Sequence, residues 1–208
     1  MNFFYNLLFC DQLDLFRNGD AQSGGQPWPT LLADLPDEPA LREIAGDESN
    51  EGRIRAIAYN RLRMMGAKVE PKQLLGVIVE VPLADGLDVL AAFSEGGVRY
   101  LNQSGKIAVI EADGTPVARL ARELVTVARP IVDNIGPWEE PRLPPPKPGN
   151  VRITFLVSDG LYFGEGPYAV LQADAMAGPV LAKAPQLLQA VVDPAVEPGS
   201  QSSHPHPR

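Results

Sequence analysis

The chain has 208 residues, 45% of them apolar and 21% charged, with a formal net charge of −8. That size and composition fit a globular chain able to bury a sizeable core, and the acidic balance excludes a broad nucleic-acid or anionic-membrane surface. A single cysteine, Cys10, excludes an internal disulfide and a cysteine-based metal cluster within one chain.

The charge is uneven. Residues 1–50 hold nine acids and two bases, whereas residues 51–150 hold twelve acids and thirteen bases. The start, Met1 to Cys10, is apolar but lacks a basic region and meets Asp11 early, so it does not read as a signal peptide. No apolar run reaches membrane-spanning length, and a cytosolic location is expected. The aromatics Phe3, Phe4, Tyr5, Phe9, Phe16 and Trp28 mark residues 1–38 as a segment that packs on the domain rather than a free arm.

Pro39 to Ala45 predicts a short helix. A longer one follows, capped by Ser49 or Asn50 and ended by Gly66. Its apolar stripe is Ile54, Ile57, Ala58, Leu62 and Met65. Arg53, Arg61 and Arg63 lie mostly off that stripe and read as a solvated face pairing with the acidic N-terminal region, with binding of an anion as the alternative.

From Leu74 the period becomes that of a strand. Val77–Val89 aligns without a gap on Val151–Phe163, and each copy carries an Asp-Gly pair, Asp85-Gly86 and Asp159-Gly160. Asp-Gly between apolar runs predicts type I′ hairpins. Pairing across the first turn then sets Glu80 opposite Ala91 and leaves both faces apolar, so both sides of the ribbon are expected to be covered. Pro82 implies an edge position or a bulge.

Val98–Leu101 and Lys106–Ile110 form a second hairpin around Asn102–Gly105, with Gly105 left-handed. Thr115 and Pro116 open a helix whose stripe is Val117, Leu120, Ala121, Leu124 and Ala128, and Pro130 ends or kinks it. The Pro-rich stretch 136–149 reads as a strap across the sheet, anchored by Trp138 and Leu143. After the second hairpin copy, Tyr168–Leu171 extends the strands. Asp174 caps a last helical region that Pro179 and Pro185 break into pieces. From Asp193 the composition is that of a disordered tail.

The fold class is therefore α+β: an antiparallel sheet of five to six strands built from hairpins, with helices on its faces. The expected organisation is an N-terminal segment (1–38), one globular domain (39–192) and a tail (193–208). The element order is similar in outline to profilin-like and roadblock-like modules, an analogy of fold that implies no function.

Chemistry is sparse. His204 and His206 both lie in the tail, so the globular part offers no histidine base and no imidazole ligand. Neither a cofactor nor a metal is expected. Cys10 reads as a buried core thiol. Glu80 sits among apolar strand residues, where burial would raise its pKa. Asp85 and Asp159 are explained by their turns. Gly164-Glu165-Gly166-Pro167 reads as a bulge in the second hairpin, and with Tyr162 and Tyr168 beside it the expected rim of a pocket. The candidate ligand-binding residues are thus Glu80, Tyr162, Gly164, Glu165, Gly166 and Tyr168. The leading expectation is a non-catalytic module that binds a small ligand, a protein partner or a second copy through a sheet edge. The alternative is a carboxylate- or tyrosine-dependent enzyme with a pocket near Glu80, Tyr162 and Glu165. A third reading takes Pro144–Pro148 as a ligand for an aromatic-lined groove.

Overall fold

A computed structural model describes residues 3–17, 25–111 and 114–193. The histidines and nearly all of the expected tail lie outside the described residues. Among the described residues, five helices come first: α1 (Phe3–Leu7), α2 (Leu13–Arg17), α3 (Trp28–Leu31), α4 (Glu38–Gly46) and α5 (Gly52–Met64). Four strands follow, β1 (Leu74–Leu83), β2 (Gly86–Phe93), β3 (Val98–Leu101) and β4 (Ile107–Ile110). Then come α6 (Pro116–Asn134), β5 (Asn150–Val157), β6 (Gly160–Pro167), α7 (Tyr168–Ala173) and α8 (Ala177–Val192).

The strands make one six-stranded antiparallel sheet in the order β4-β3-β2-β1-β5-β6. Alternation along the strands gives it two apolar faces. Leu75, Ile78, Val89, Ala91, Phe93 and Leu156 pack under the N-terminal segment, α4 and α5. Val77, Val79, Leu90, Ala92, Ile153 and Phe155 pack under α6 and α8. Each fully buried side chain of this kind contributes roughly 1.5–3 kcal/mol. Both faces are covered, as the alternation implies.

The register corrects the expected turn. Leu83 pairs with Gly86 and Val157 with Gly160, so the turns centre on Ala84-Asp85 and Ser158-Asp159. Glu80 faces Val89 rather than Ala91. None of the four central residues has positive φ, so neither turn is type I′. A shift of two residues keeps every side chain on its own face, which is why the face assignment survives. The glycines open the second strands because other chain segments close on them. A Cβ on Gly86 would lie 2.7 Å from the Gln103 carbonyl oxygen, and one on Gly160 would lie 3.0 Å from the Pro137 Cβ.

Pro82 stands beyond Glu80–Arg152, the last β1–β5 pair, where β1 has a strand partner on one side only. Gly105 has φ +82° in the β3–β4 turn, and the Thr115 side chain accepts from the Ala118 N–H at 3.3 Å. Asp174 takes the N–H groups of Met176 and Ala177, both at 2.8 Å.

Several expectations fail for identifiable reasons. Pro185, expected to break the last helical region, sits inside a continuous helix, and Pro130, expected to end or kink its helix, does not end it. The buried stripes run on past them through Ile131, Val132 and Leu187, and that burial offsets a cost of about 3 kcal/mol per proline. Tyr168–Leu171 is helix, not strand. Gly164-Glu165-Gly166 forms no bulge: β5 and β6 stay in one register from Asn150–Pro167 to Val157–Gly160. Neither Ser49 nor Asn50 caps α5. Its N-cap is Glu51, and Glu95 Oε2 accepts the Gly52 N–H from across the chain at 2.7 Å.

The arginines of α5 are not a solvated face. Arg61 is buried and donates to the Ala33 carbonyl at 2.5 Å, and Arg53 lies over the Trp28 ring. Arg63 donates to the Ser158 carbonyl at 2.5 Å. These side chains tie the helix to the N-terminal segment and to the second hairpin.

Candidate functional site

The Pro-rich stretch crosses the face of β5 and β6 and joins them to the N-terminal segment. Trp138 donates its backbone N–H to the Leu161 carbonyl at 2.7 Å and meets the Phe163 ring edge-on at 5.0 Å. Arg142 holds Asp11 at 2.8 Å and Asn6 at 3.0 Å, with its guanidinium 4.0 Å from the centre of the Phe9 ring.

Beneath the strap lies a buried polar network. Glu80, on β1, has 0% exposure. Its Oε1 accepts from the Tyr5 hydroxyl at 2.7 Å and its Oε2 from the Thr154 hydroxyl at 3.4 Å. Arg152, its cross-strand partner on β5, stands 3.9 Å from Oε2. The same guanidinium donates to Glu165 on β6 from Nε at 2.9 Å and from Nη2 at 2.5 Å. It also holds the strap through the Leu143 and Pro144 carbonyls at 3.3 and 2.8 Å. One arginine therefore links two strands, two carboxylates and the strap.

The two carboxylates shift in opposite directions. Burial raises the Glu80 pKa, although the Tyr5 hydrogen bond and Arg152 pull against it. Burial also opposes ionisation of Glu165, but the hydrogen bonds from Arg152 and Asn150 prevail and hold it below the usual range. Burial likewise pushes the Cys10 thiol up to about 12, which leaves it protonated and unreactive in the core.

A raised folded pKa means that the stability Glu80 contributes is complete below the ordinary glutamate value. It is lost as pH rises through the folded value. Glu80→Gln keeps an acceptor for Tyr5 and has no such loss. Urea melts at pH 4 and pH 8 should therefore shift in favour of E80Q as pH rises, relative to the parent. A pH-independent difference, or one that moves toward the parent, contradicts a protonated tendency in Glu80.

Between strap, sheet and α5 runs a cleft of about 550 Å³. Arg63, Trp138, Arg142, Thr154 and Phe163 line it, with Glu139 and Glu140 on the strap side. Glu80 lies behind Thr154 and Arg152, sealed from this space.

The six sequence-derived site residues do not converge. Glu80 and Glu165 share one face of the sheet and meet through Arg152. Tyr162 points to the opposite face, where it has 0% exposure within the α6–α8 core, and it donates its hydroxyl to Asp159 at 2.9 Å. Gly164 and Gly166 alternate with Glu165 and so lie on the Tyr162 side. Tyr168 belongs to α7 and borders a separate apolar groove with Val81, Leu181 and Leu188. A three-residue pocket of Glu80, Tyr162 and Glu165 is thus not formed, because the pleat sends Tyr162 and Glu165 to opposite sides.

Residue-by-residue reading missed Arg152, Arg142 and Tyr5, and it set anion binding by Arg63 second to a solvated face. Arg152 did carry a signal, a charge inside the apolar run Val151–Val157, the same signal that singled out Glu80. Among the described residues, no group of three or more His, Cys, Asp or Glu is placed to hold a metal ion, and no helix is long and apolar enough to cross a membrane. No family model matches this chain, and no curated protein matches it in sequence.

Proposed function

We propose that this chain is a non-catalytic binding module that accepts a partner's strand along the outer edge of β4. The supporting observation is the contrast between the two edges of the sheet. β6 is crossed by the strap, which bonds to its Leu161 carbonyl. Among the described residues, β4 has β3 as its one strand neighbour. It reads Ile107-Ala108-Val109-Ile110, with no charge, proline or bulge to block pairing.

The hydrogen-bond alternation sets which groups face outward. Asn102 N–H donates to the Lys106 carbonyl, so the bonded pairs with β3 continue at Ala108 and Ile110. The N–H and carbonyl groups of Ile107 and Val109 therefore point away from the sheet. Their side chains are 39% and 56% exposed and border a groove of about 260 Å³ shared with Phe4, Leu7 and Leu101. Backbone donors beside an apolar groove are what strand addition uses. The sealed Glu80 network, whose carboxylate already has its partners, supports binding over catalysis.

Val109→Pro removes an outward N–H and leaves the β3 ladder intact, and Val109→Lys places a charge on the groove. Sedimentation velocity over a concentration series tests a second copy as the partner, and peptide display against the full chain tests a foreign strand. The expected result is self-association or selected extended peptides, weakened about tenfold or more by either substitution. A chain that stays monomeric and selects no peptide sensitive to Val109 overturns the reading.

A further inference from the structure

The strap cleft carries a second, independent site. Arg63 reaches it from the last turn of α5. Its Nη1 is held by the Ser158 carbonyl at 2.5 Å and its Nη2 by Asn60 Oδ1 at 3.3 Å. Those two bonds fix the guanidinium and leave N–H groups over, since the fork has five. Among the described residues, no carboxylate lies within 4.0 Å of it. The other two arginines of the cleft differ: Arg142 holds Asp11, and Arg152 holds Glu165. Asp159 also lines the cleft and acts on Arg63 electrostatically, but its oxygens accept from the Lys72 N–H and the Tyr162 hydroxyl.

A half-buried guanidinium with no carboxylate at ion-pair distance is costly, and a ligand anion offsets that cost. Burial already holds the Arg63 pKa below the ordinary arginine value, with Asp159 opposing the shift only in part. The cavity volume, about 550 Å³, is that of a small-molecule site. Its apolar wall is the Trp138–Phe163 pair with Leu161. Glu139 and Glu140 on the strap disfavour a multiply charged anion. We propose that the cleft binds an aromatic monocarboxylate, with its carboxylate on Arg63 and its ring against Trp138 and Phe163. The site is separate from the β4 edge, so either proposal stands or falls without the other.

Fluorescence of the full chain provides the test. The chain has two tryptophans. Trp28 is buried in the N-terminal core, whereas Trp138 is 40% exposed and borders the cleft. The probes are benzoate, benzamide and inorganic phosphate. Benzoate should give a saturable change that Trp138→Phe abolishes, benzamide should bind about tenfold more weakly or worse, and phosphate should give no change. Arg63→Met should lower benzoate affinity about tenfold and leave benzamide binding in place, which also reports that the cleft is intact. Should that variant fail to fold, the benzoate-to-benzamide ratio of the parent still decides. Equal binding of the two probes, absence of saturable benzoate binding, or unchanged benzoate affinity in R63M overturns the proposal.

Discussion

Arg152→Ala should cost about 3–5 kcal/mol, a large share of the roughly 5–15 kcal/mol that holds a domain of this kind together. The loss comes less from missing contacts than from what is left behind. Glu80, with 0% exposure, would keep its carboxylate in the core without the guanidinium 3.9 Å away. Glu165 would lose two donated hydrogen bonds, and the Leu143 and Pro144 carbonyls would lose theirs. The Phe163 ring would lose the cation 5.5 Å from its centre.

Two further variants separate charge from packing. Arg152→Met keeps the aliphatic stem and should be nearly as damaging as alanine. Arg152→Lys keeps the charge but cannot fork to acceptors on two strands and the strap, and should fall between parent and alanine. The strap should respond first. Limited proteolysis within residues 136–149 should speed up in R152A, and Trp138 emission should shift as its contact with Phe163 loosens. A loss below about 1 kcal/mol in denaturant melts, the range of an ordinary surface pair, would show that Arg152 is not the tie between strap and sheet.

The sheet was legible because strand period, turn residues and caps all act locally. Val98–Leu101, the left-handed Gly105 and the Thr115 cap each follow from a few neighbouring residues. The hairpin register was less so. Asp-Gly marks a turn, but a close approach by Gln103 or Pro137 decided where each glycine sits, and those contacts come from distant chain. Pro185 misled for a related reason, since tertiary burial of the surrounding stripe outweighed a local cost.

The network around Glu80 was only half legible. Burial of Glu80 follows from its apolar strand, but its hydroxyl partner Tyr5 lies 75 residues earlier. Its guanidinium partner becomes a neighbour only when β5 returns beside β1 rather than extending the sheet past β4. No local pattern encodes that choice. Tyr162 was misplaced for a simpler reason: strand parity puts it on the face opposite Glu165, whatever the distance between them along the chain.

Glycines make the same point with a sharper test. The sequence draws attention to Gly164, which lies between Phe163 and Glu165 with Tyr162 and Gly166 two residues to either side, and passes over Gly52 at the start of a helix. The geometry reverses that ranking. A Cβ on Gly52 would stand 2.4 Å from the Leu75 carbonyl oxygen, 3.0 Å from Glu95 Oε2 and 3.2 Å from the Phe93 Cβ. The nearest of these is main chain of the central strand and cannot rotate away. Gly52→Ala must push α5 off β1, and in doing so it strains the bond from the Gly52 N–H to Glu95. The expected loss is about 1–3 kcal/mol, despite the higher helix propensity of alanine. Gly164 has no heavy atom within 4 Å of the same added carbon. Gly164→Ala should therefore be neutral or stabilise by up to about 1 kcal/mol, through the restricted unfolded chain. Chemical denaturation of the two single variants gives the comparison directly. Opposite signs support a helix seated on the sheet by a glycine contact. A Gly52→Ala protein as stable as the parent would mean that α5 stands farther from β1 than this packing requires.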